Sequence, residues 1–138
     1  MQQWGINYWE TNAPVVNWIS VRFLLIVAQL KGLETKALDF VLAFPEADLD
    51  TPVFMELPIG VSYDGVHQNR KYVLRLLKSL YGLKQASSNW YSYLKQGLID
   101  RGFQESQADP CVFTCDDMIV LVYVDDCILI SRSTSVIQ

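Results

Sequence analysis

Positive charge is scarce in this 138-residue sequence. Charged residues make up 19% of the chain, and 15 acidic residues outnumber 11 lysines and arginines, which gives a net charge of −4. A protein that holds nucleic acid by its own surface charge usually carries a basic stripe that displaces counterions from phosphate. The composition argues against such binding, and leaves a metal ion or another polypeptide segment as the source of positive charge.

Histidine and cysteine are also scarce. The chain has one histidine, His67, and three cysteines at positions 111, 115 and 127, none of them in a Cys-x-x-Cys pair. This pattern argues against a zinc site, so we interpret the cysteines as reduced thiols in the core. Reduced cysteines are typical of proteins of the cytosol or nucleus.

Long uninterrupted apolar runs are absent. The longest apolar stretch, residues 15–30, is broken by Asn17, Ser20, Arg22 and Gln29. It is too short and too polar to cross a bilayer. The first four residues, Met-Gln-Gln-Trp, lack the basic region and apolar run of a signal peptide. We therefore expect no membrane association and no secretion.

The sequence does contain enough apolar material for a core, since 51% of the residues are hydrophobic and 12% are aromatic. It has no internal repeats and no low-complexity linkers, so residues 1–138 are predicted to form one unit. Predicted strands and helices are mixed without a regular βαβ alternation, which indicates an α+β fold.

The first predicted helix covers residues 18–31. Asn17 is well placed to cap its start and Gly32 to end it. The segment is apolar nearly all round, so we expect this helix to be buried on all sides.

The rest of the chain is predicted to form strands, a loop and a second helix. Alternating or short apolar segments bounded by proline, glycine or polar residues predict strands over residues 33–44 (ended by Pro45), 53–57, 71–77, 111–114 and both halves of 118–130. A polar loop is predicted over residues 58–69, and the second helix over residues 86–101, with Ser87 or Ser88 as its cap.

An Asp-Asp pair, Asp125 and Asp126, interrupts the long apolar run near the end of the chain. Ionised carboxylates in apolar surroundings are costly unless they are paired or bind a cation. One interpretation is a hairpin in which both aspartates form the turn and face water. Tight hairpin turns favour Gly or Asn, however, and neither is present. The other interpretation is a functional site.

A third carboxylate, Asp39, lies within the first predicted strand. Taken alone, it could be an edge-strand residue that faces water. If its strand lies beside the Asp125-Asp126 hairpin, the three carboxylates converge and offer the hard oxygen ligands that Mg²⁺ prefers. Two ions about 4 Å apart could then activate a 3′-hydroxyl and stabilise a leaving pyrophosphate.

Several ordered segments resemble the reverse transcriptase of copia-type retrotransposons, and together they cover nearly the whole chain. A lone Tyr-x-Asp-Asp is a weak signal, but a collinear set of motifs is specific. The segments are Tyr8–Val16, Leu38–Phe44, Val53–Gly60, Leu80–Ala86, Ala108–Phe113 and Tyr123–Asp126.

The resemblance implies a reverse-transcriptase palm and fingers, with an antiparallel sheet packed on two main helices. It implies RNA-directed DNA polymerase activity, in which two metal ions assist the addition of dNTPs to a primer 3′-hydroxyl on an RNA or DNA template. Asp39 and Asp125 would be the principal ligands of Mg²⁺ or Mn²⁺, and Asp126 the third acidic residue.

The resemblance also implies roles for four other residues. Phe44 would exclude ribonucleotides, Gln85 and Lys84 would lie near the incoming nucleotide, and Tyr123 would touch the template-primer. Asp39 and Phe44 would face opposite sides of a regular strand, so the chain must bend between them. The alternatives are that Lys84 is a solvated cation at the start of a helix and that Tyr123 is an ordinary strand aromatic.

The sequence departs from the family pattern at three places. Val41 stands where the family usually has Lys, and Pro45-Glu46 stands where Asn-Gly is common. Ser87-Ser88 replaces Pro-Arg, which removes a cation that could hold phosphate.

Residues 1–138 would be a partial reverse transcriptase domain, with the thumb, connection and RNase H absent. The remaining domains of the polyprotein, integrase and RNase H, would be its partners, in a cytoplasmic virus-like particle or the nucleus. We expect little or no polymerase activity from this chain alone. The alternatives are a catalytically inactive remnant that serves as a binding module, and a metal-dependent nuclease. The nuclease ranks last because it does not need Phe44 or residues 82–85.

Overall fold

The computed structural model describes residues 2–61 and 72–137. The elements, in chain order, are α1 (Trp18–Lys31), β1 (Glu34–Asp39), α2 (Ala43–Glu46), β2 (Phe54–Glu56), β3 (Val73–Arg75), α3 (Ala86–Ile99), β4 (Gln104–Glu105), β5 (Val112–Thr114), β6 (Met118–Tyr123), β7 (Asp126–Ser131) and α4 (Thr134–Ile137). The predicted α+β class is confirmed. The described residues contain no helix long and apolar enough to cross a membrane.

A five-stranded antiparallel sheet forms the centre of the fold, in the order β1-β7-β6-β5-β4. Strands β6 and β7 form a hairpin, and β1 pairs with the outer side of β7. A separate two-stranded ribbon joins β2 to β3. Part of the predicted loop over 58–69 and the start of the predicted strand over 71–77 lie outside the described residues.

The two main helices cover opposite faces of the sheet, so the predicted packing of an antiparallel sheet against two helices is observed. On one face, Val21 and Ala28 of α1 share a core cluster with Leu121 and Ile130. On the other face, α3 packs against a second cluster, which contains Phe113, Val120, Val122 and Cys127. All three cysteines are free, and two of them are buried in these clusters.

Helix α1 begins and ends as predicted, because both signals are local. The Asn17 side chain accepts a hydrogen bond from the Ile19 backbone N–H over 2.9 Å. Gly32 ends the helix in the left-handed conformation, with φ of 60°. The prediction that α1 is buried on all sides is wrong. Its outer face, formed by Ile19, Phe23, Ile26 and Leu30, is exposed in this structure.

Strand β1 ends at Asp39, earlier than the predicted end at Phe44. After Phe40 the chain turns at Leu42, which has a left-handed φ of 58°, and α2 follows directly. The prediction that Pro45 ends the strand is therefore wrong, because Pro45 lies within α2. A proline is tolerated in the first turn of a helix, where its missing N–H would have no intrahelical partner.

Helix α3 ends at Ile99, two residues before the predicted end, and neither Ser87 nor Ser88 caps it. The N-cap position is Gln85, whose side chain makes no capping hydrogen bond. That side chain is instead engaged by the N-terminal segment, which a local sequence pattern does not reveal.

Candidate active site

Asp39 and Asp126 lie directly opposite one another on adjacent antiparallel strands. The register of β1 and β7 pairs the two residues, and the register of β6 and β7 pairs Asp126 with Tyr123. Directly opposed residues point to the same face of a sheet, with Cα atoms about 4.5–5.5 Å apart. Both carboxylates are exposed. Two residues 87 positions apart in sequence are thus brought together at one end of the sheet.

Asp125 joins this pair through the backbone. The Phe40 backbone N–H donates a hydrogen bond to the Asp125 carbonyl oxygen over 2.9 Å, just beyond the paired strands. The three aspartates therefore lie at the same end of the sheet, as expected if β1 flanks the hairpin. Asp125 is half-buried, whereas Asp39 and Asp126 are more open to solvent.

The hairpin turn consists of Val124 and Asp125, and Asp126 already belongs to β7. The interpretation in which both aspartates form the turn is therefore wrong. Val124 has a left-handed φ of 57°. A positive φ at the first central residue is the pattern of a type II′ turn, where glycine is usual. A β-branched residue in that conformation costs on the order of 1–3 kcal/mol.

The surrounding structure compensates for this strain. The Trp90 side chain of α3 donates a hydrogen bond from Nε1 to the Val124 carbonyl oxygen over 2.6 Å. Trp90 is buried, and its ring packs edge-on against Phe40, with centroids 5.2 Å apart. Trp90 therefore belongs to the core, and it also fixes the turn that carries Asp125.

The donor atoms at this end of the sheet suit a hard divalent cation, because carboxylate oxygens are the ligands that Mg²⁺ prefers. Within residues 2–61 and 72–137, no three His, Cys, Asp or Glu side chains meet in an arrangement that would hold a metal ion. Magnesium usually binds through one or two carboxylates, with waters and substrate phosphates completing its shell. The opposed pair of Asp39 and Asp126 fits that partial protein shell.

Phe44 lies in a small core cluster with Ala86 and Trp90, against which Phe40 and Val124 also pack. Its ring is buried and packs on Tyr81, with centroids 4.4 Å apart. The bend that was predicted between Asp39 and Phe44 is present, and the left-handed Leu42 produces it. The predicted contact of Phe44 with a nucleotide sugar stays a prediction.

Gln85 is fully buried, with 0% of its surface exposed. Its Oε1 accepts a hydrogen bond from Gln2 over 2.8 Å, and its Nε2 donates one to the Asn7 carbonyl over 2.9 Å. Lys84 is exposed, and its backbone N–H donates to the Gln2 side chain. The structure therefore places the N-terminal segment over these two residues, and their predicted nucleotide contacts remain predictions.

Asp109 is a buried carboxylate for which the sequence predicted no functional role. It accepts hydrogen bonds from the backbone N–H groups of Asn17, over 2.9 Å, and Cys111, over 3.0 Å. Burial alone would raise the pKa of the Asp109 carboxyl, but a hydrogen bond from Ser20 and the two backbone bonds outweigh burial and lower this pKa. Asp109 thus joins the start of α1 to the sheet. The sequence signal that could have identified Asp109 was its position in the Ala-Asp-Pro-Cys segment, one of the ordered motifs.

Residues 1–138 match the family model described as reverse transcriptase, an RNA-dependent DNA polymerase. The chain belongs to this family. The resemblance inferred from the ordered motifs is therefore confirmed, and so is the assignment to reverse transcriptases.

Curated relatives agree with this assignment. The chain is 34% identical over 141 residues to the retrovirus-related Pol polyprotein from transposon TNT 1-94 of Nicotiana tabacum, which covers 99% of the chain and 10% of the relative. It is 35% identical over 142 residues to the corresponding polyprotein from transposon RE2 of Arabidopsis thaliana, with the same coverage. A yeast Ty1-DR4 Gag-Pol polyprotein matches 70% of the chain at 35% identity, and 6% of the relative is covered.

The chain spans about a tenth of the length of the plant relatives that it matches. No solved structure matches it.

Proposed function

We propose that residues 1–138 form part of the fingers and palm of a copia-type retrotransposon reverse transcriptase, and that Asp39, Asp125 and Asp126 are its catalytic carboxylates. The observation that carries this proposal is the register that sets Asp39 opposite Asp126, beside the turn that holds Asp125. Membership of the reverse transcriptase family supports the reaction class.

In this proposal, Asp39 and Asp125 are the principal ligands of two Mg²⁺ or Mn²⁺ ions, and Asp126 is the third acidic residue. When bound, these ions would activate the primer 3′-hydroxyl and neutralise the charge of the leaving pyrophosphate. Phosphoryl transfer needs in-line positioning and charge neutralisation more than covalent participation by the protein.

The protein contributes a rigid platform for the carboxylates. Strand pairing fixes Asp39 and Asp126 relative to each other, and the Trp90 hydrogen bond to Val124 holds the strained turn. Carboxylates held by a preorganised backbone lose little freedom on binding a cation, which favours binding and positioning. The template is selected by base pairing.

Four further residues complete the proposed site. Tyr123 pairs with Asp126 and is 45% exposed, which suits contact with the template-primer. Lys84 is exposed and free to meet phosphate. For Phe44 and Gln85 to approach the incoming nucleotide, the segments that cover them, which include Tyr81 and Gln2, must move.

The catalytic unit is proposed to be complete only in a longer polyprotein that includes RNase H and integrase and acts inside the cell. The chain covers only 10% of the length of its plant Pol polyprotein relatives, which supports this proposal. In primer extension with Mg²⁺ and dNTPs, we expect the isolated chain to give no product above an Asp125→Asn control. Processive synthesis by the isolated chain would contradict this part of the proposal.

Thermal unfolding with added Mn²⁺ or Mg²⁺ tests the metal site directly. At ten times the Kd, a bound ion adds about 1.4 kcal/mol of stability and raises the Tm by about 4 °C. We expect this shift in the wild type and its loss in Asp39→Asn and Asp125→Asn, the variants of the two proposed principal ligands. The double variant Asp116→Asn/Asp117→Asn is the control. It removes the charges of the other Asp-Asp pair, which lies in the turn between β5 and β6.

The outcomes distinguish a polymerase fragment that retains its metal site from an inactive remnant that has lost it. A saturable Tm shift that survives in the control and disappears in Asp39→Asn supports the proposed metal centre. No shift in the wild type, or an equal loss in the control, would leave a folded module without the metal site.

A further inference from the structure

We propose that Trp18 and Arg22 of α1 extend the candidate active site into a binding strip for a single strand of nucleic acid, with one base against Trp18 and Tyr123 and a phosphate at Arg22. This inference rests on the proposed function, because it places the strand beside the aspartates. It adds a part of the chain that none of the catalytic motifs includes.

Two exposed aromatic rings lie next to the acidic pair. Trp18 is 64% exposed and Tyr123 is 45% exposed, and their ring centroids are 6.4 Å apart at an interplanar angle of 42°. They border a cleft of about 100 Å³ that Asp126 also lines, with apolar side chains around it. Tyr123 is paired with Asp126 in the sheet, so the two aromatic rings lie directly beside the carboxylates.

Trp18 leaves much of its flat apolar ring surface open to solvent beside Tyr123. A nucleobase fits such a surface, since every base has a flat π-face and stacking on an aromatic side chain does not depend on sequence. A strand that stacks here lies beside the site proposed to extend a primer.

Arg22 lies one helical turn beyond Trp18, at a spacing of four residues, and so points to nearly the same side of α1. It is exposed, and in the described part of the chain it takes part in no ion pair. Trp18 and Arg22 lie about 6 Å apart along the helix axis, because each residue adds about 1.5 Å. A guanidinium at this position can therefore meet a phosphate next to the base that stacks on Trp18.

Phe23 supplies a matched control on the same helix. It is also an exposed aromatic residue, at 61%, but five residues from Trp18 it lies about 140° around the helix axis. A general loss of exposed aromatic surface would affect Phe23→Ala and Trp18→Ala alike, whereas a defined strip involves Trp18 alone.

Fluorescence anisotropy with a short fluorescein-labelled oligodeoxythymidylate, in Mg²⁺, tests the strip. We expect saturable binding by the wild-type chain, weakened on the order of tenfold by Trp18→Ala. Trp18→Phe should restore much of the affinity, and Phe23→Ala should leave it unchanged. Arg22→Ala should reduce the slope of log K against log salt by about 0.7, the loss of one phosphate contact to a single strand. Circular dichroism of each variant reports whether α1 is retained.

Two results would overturn the strip: no saturable binding by the wild type, or equal weakening by Trp18→Ala and Phe23→Ala. Neither result concerns the metal centre, which the Mn²⁺-dependent Tm shift measures separately. A wild type that binds Mn²⁺ through Asp39 while Trp18→Ala binds the oligonucleotide normally would refute the strip alone.

Discussion

The Asp109 carboxylate accepts a hydrogen bond from the backbone N–H of Asn17, although the two residues lie 92 positions apart in the sequence. The same carboxylate accepts a hydrogen bond from the backbone N–H of Cys111, the residue just before β5. One buried side chain therefore fixes where α1 begins on the sheet face that also carries Asp39 and Asp126. Trp18, the first residue of α1, comes directly after Asn17 in the chain, so this anchor also sets its position.

Asp109→Asn should destabilise the chain by about 2 kcal/mol at neutral pH, because the two Asp109 oxygens accept from two separate N–H groups and an amide offers only one oxygen. The urea-unfolding midpoint, compared at equal slope, measures this loss. Asp116→Asn, at an exposed turn position, serves as the control and should stay within about 0.5 kcal/mol of the wild type.

The same variant should change the pH dependence of stability. The pKa of Asp109 is lowered in the folded chain, so its contribution is present above the unfolded-state pKa, about 3.9, and is lost as the pH falls through the lower folded-state value. The stability difference between wild type and Asp109→Asn should therefore be full above about pH 4 and shrink in more acidic solution. A difference that grows on acidification would contradict this assignment.

Trp90→Phe should destabilise the chain by about 2–3 kcal/mol, because it removes the donor to the Val124 carbonyl and leaves a smaller ring in the core. The strained turn also loses its anchor. Chemical unfolding measures the change, with Tyr93→Phe as the control, since Tyr93 is a neighbouring ring that is 52% exposed. Equal and small effects in both variants would show that the hydrogen bond to the turn contributes little.

The exposed outer face of α1 should make the isolated chain self-associate. Ile19, Phe23, Ile26 and Leu30 present a continuous apolar stripe, and such stripes favour association. Ile26→Glu combined with Leu30→Lys places a favourable ion pair four residues apart, and should lower the apparent mass in light scattering without lowering the Tm. An unchanged mass distribution would mean that this face does not drive association.

Local signals in the sequence predicted some elements well. Asn17 and Gly32 delimit α1 through contacts within a few residues of themselves, so both ends of the helix were predictable. The exposure of α1 was not predictable, because it depends on what packs against the helix rather than on its composition. The end of β1 also escaped prediction, since Leu42 adopts a left-handed conformation that no local pattern signals.

In the candidate site, too, some features were predictable from the sequence and others depend on distant contacts. The ordered motifs predicted that Asp39 would lie beside the hairpin, and the strand register agrees. The burial of Gln85 was missed, because its partners Gln2 and Asn7 are about eighty residues away along the chain. The true turn residues were missed as well: Val124 takes a conformation that usually requires glycine, and the distant Trp90 supports it.

The most direct test of the central claim is to locate bound Mn²⁺ by paramagnetic broadening in amide NMR spectra of the chain. At less than one equivalent of Mn²⁺, the signals of Phe40, Asp125 and Asp126 should broaden first, and Asp39→Asn should abolish this effect. Signals of Asp116 and Asp117 should be spared. Broadening centred on the turn between β5 and β6, or spread evenly over all exposed acidic residues, would contradict a metal centre at Asp39, Asp125 and Asp126.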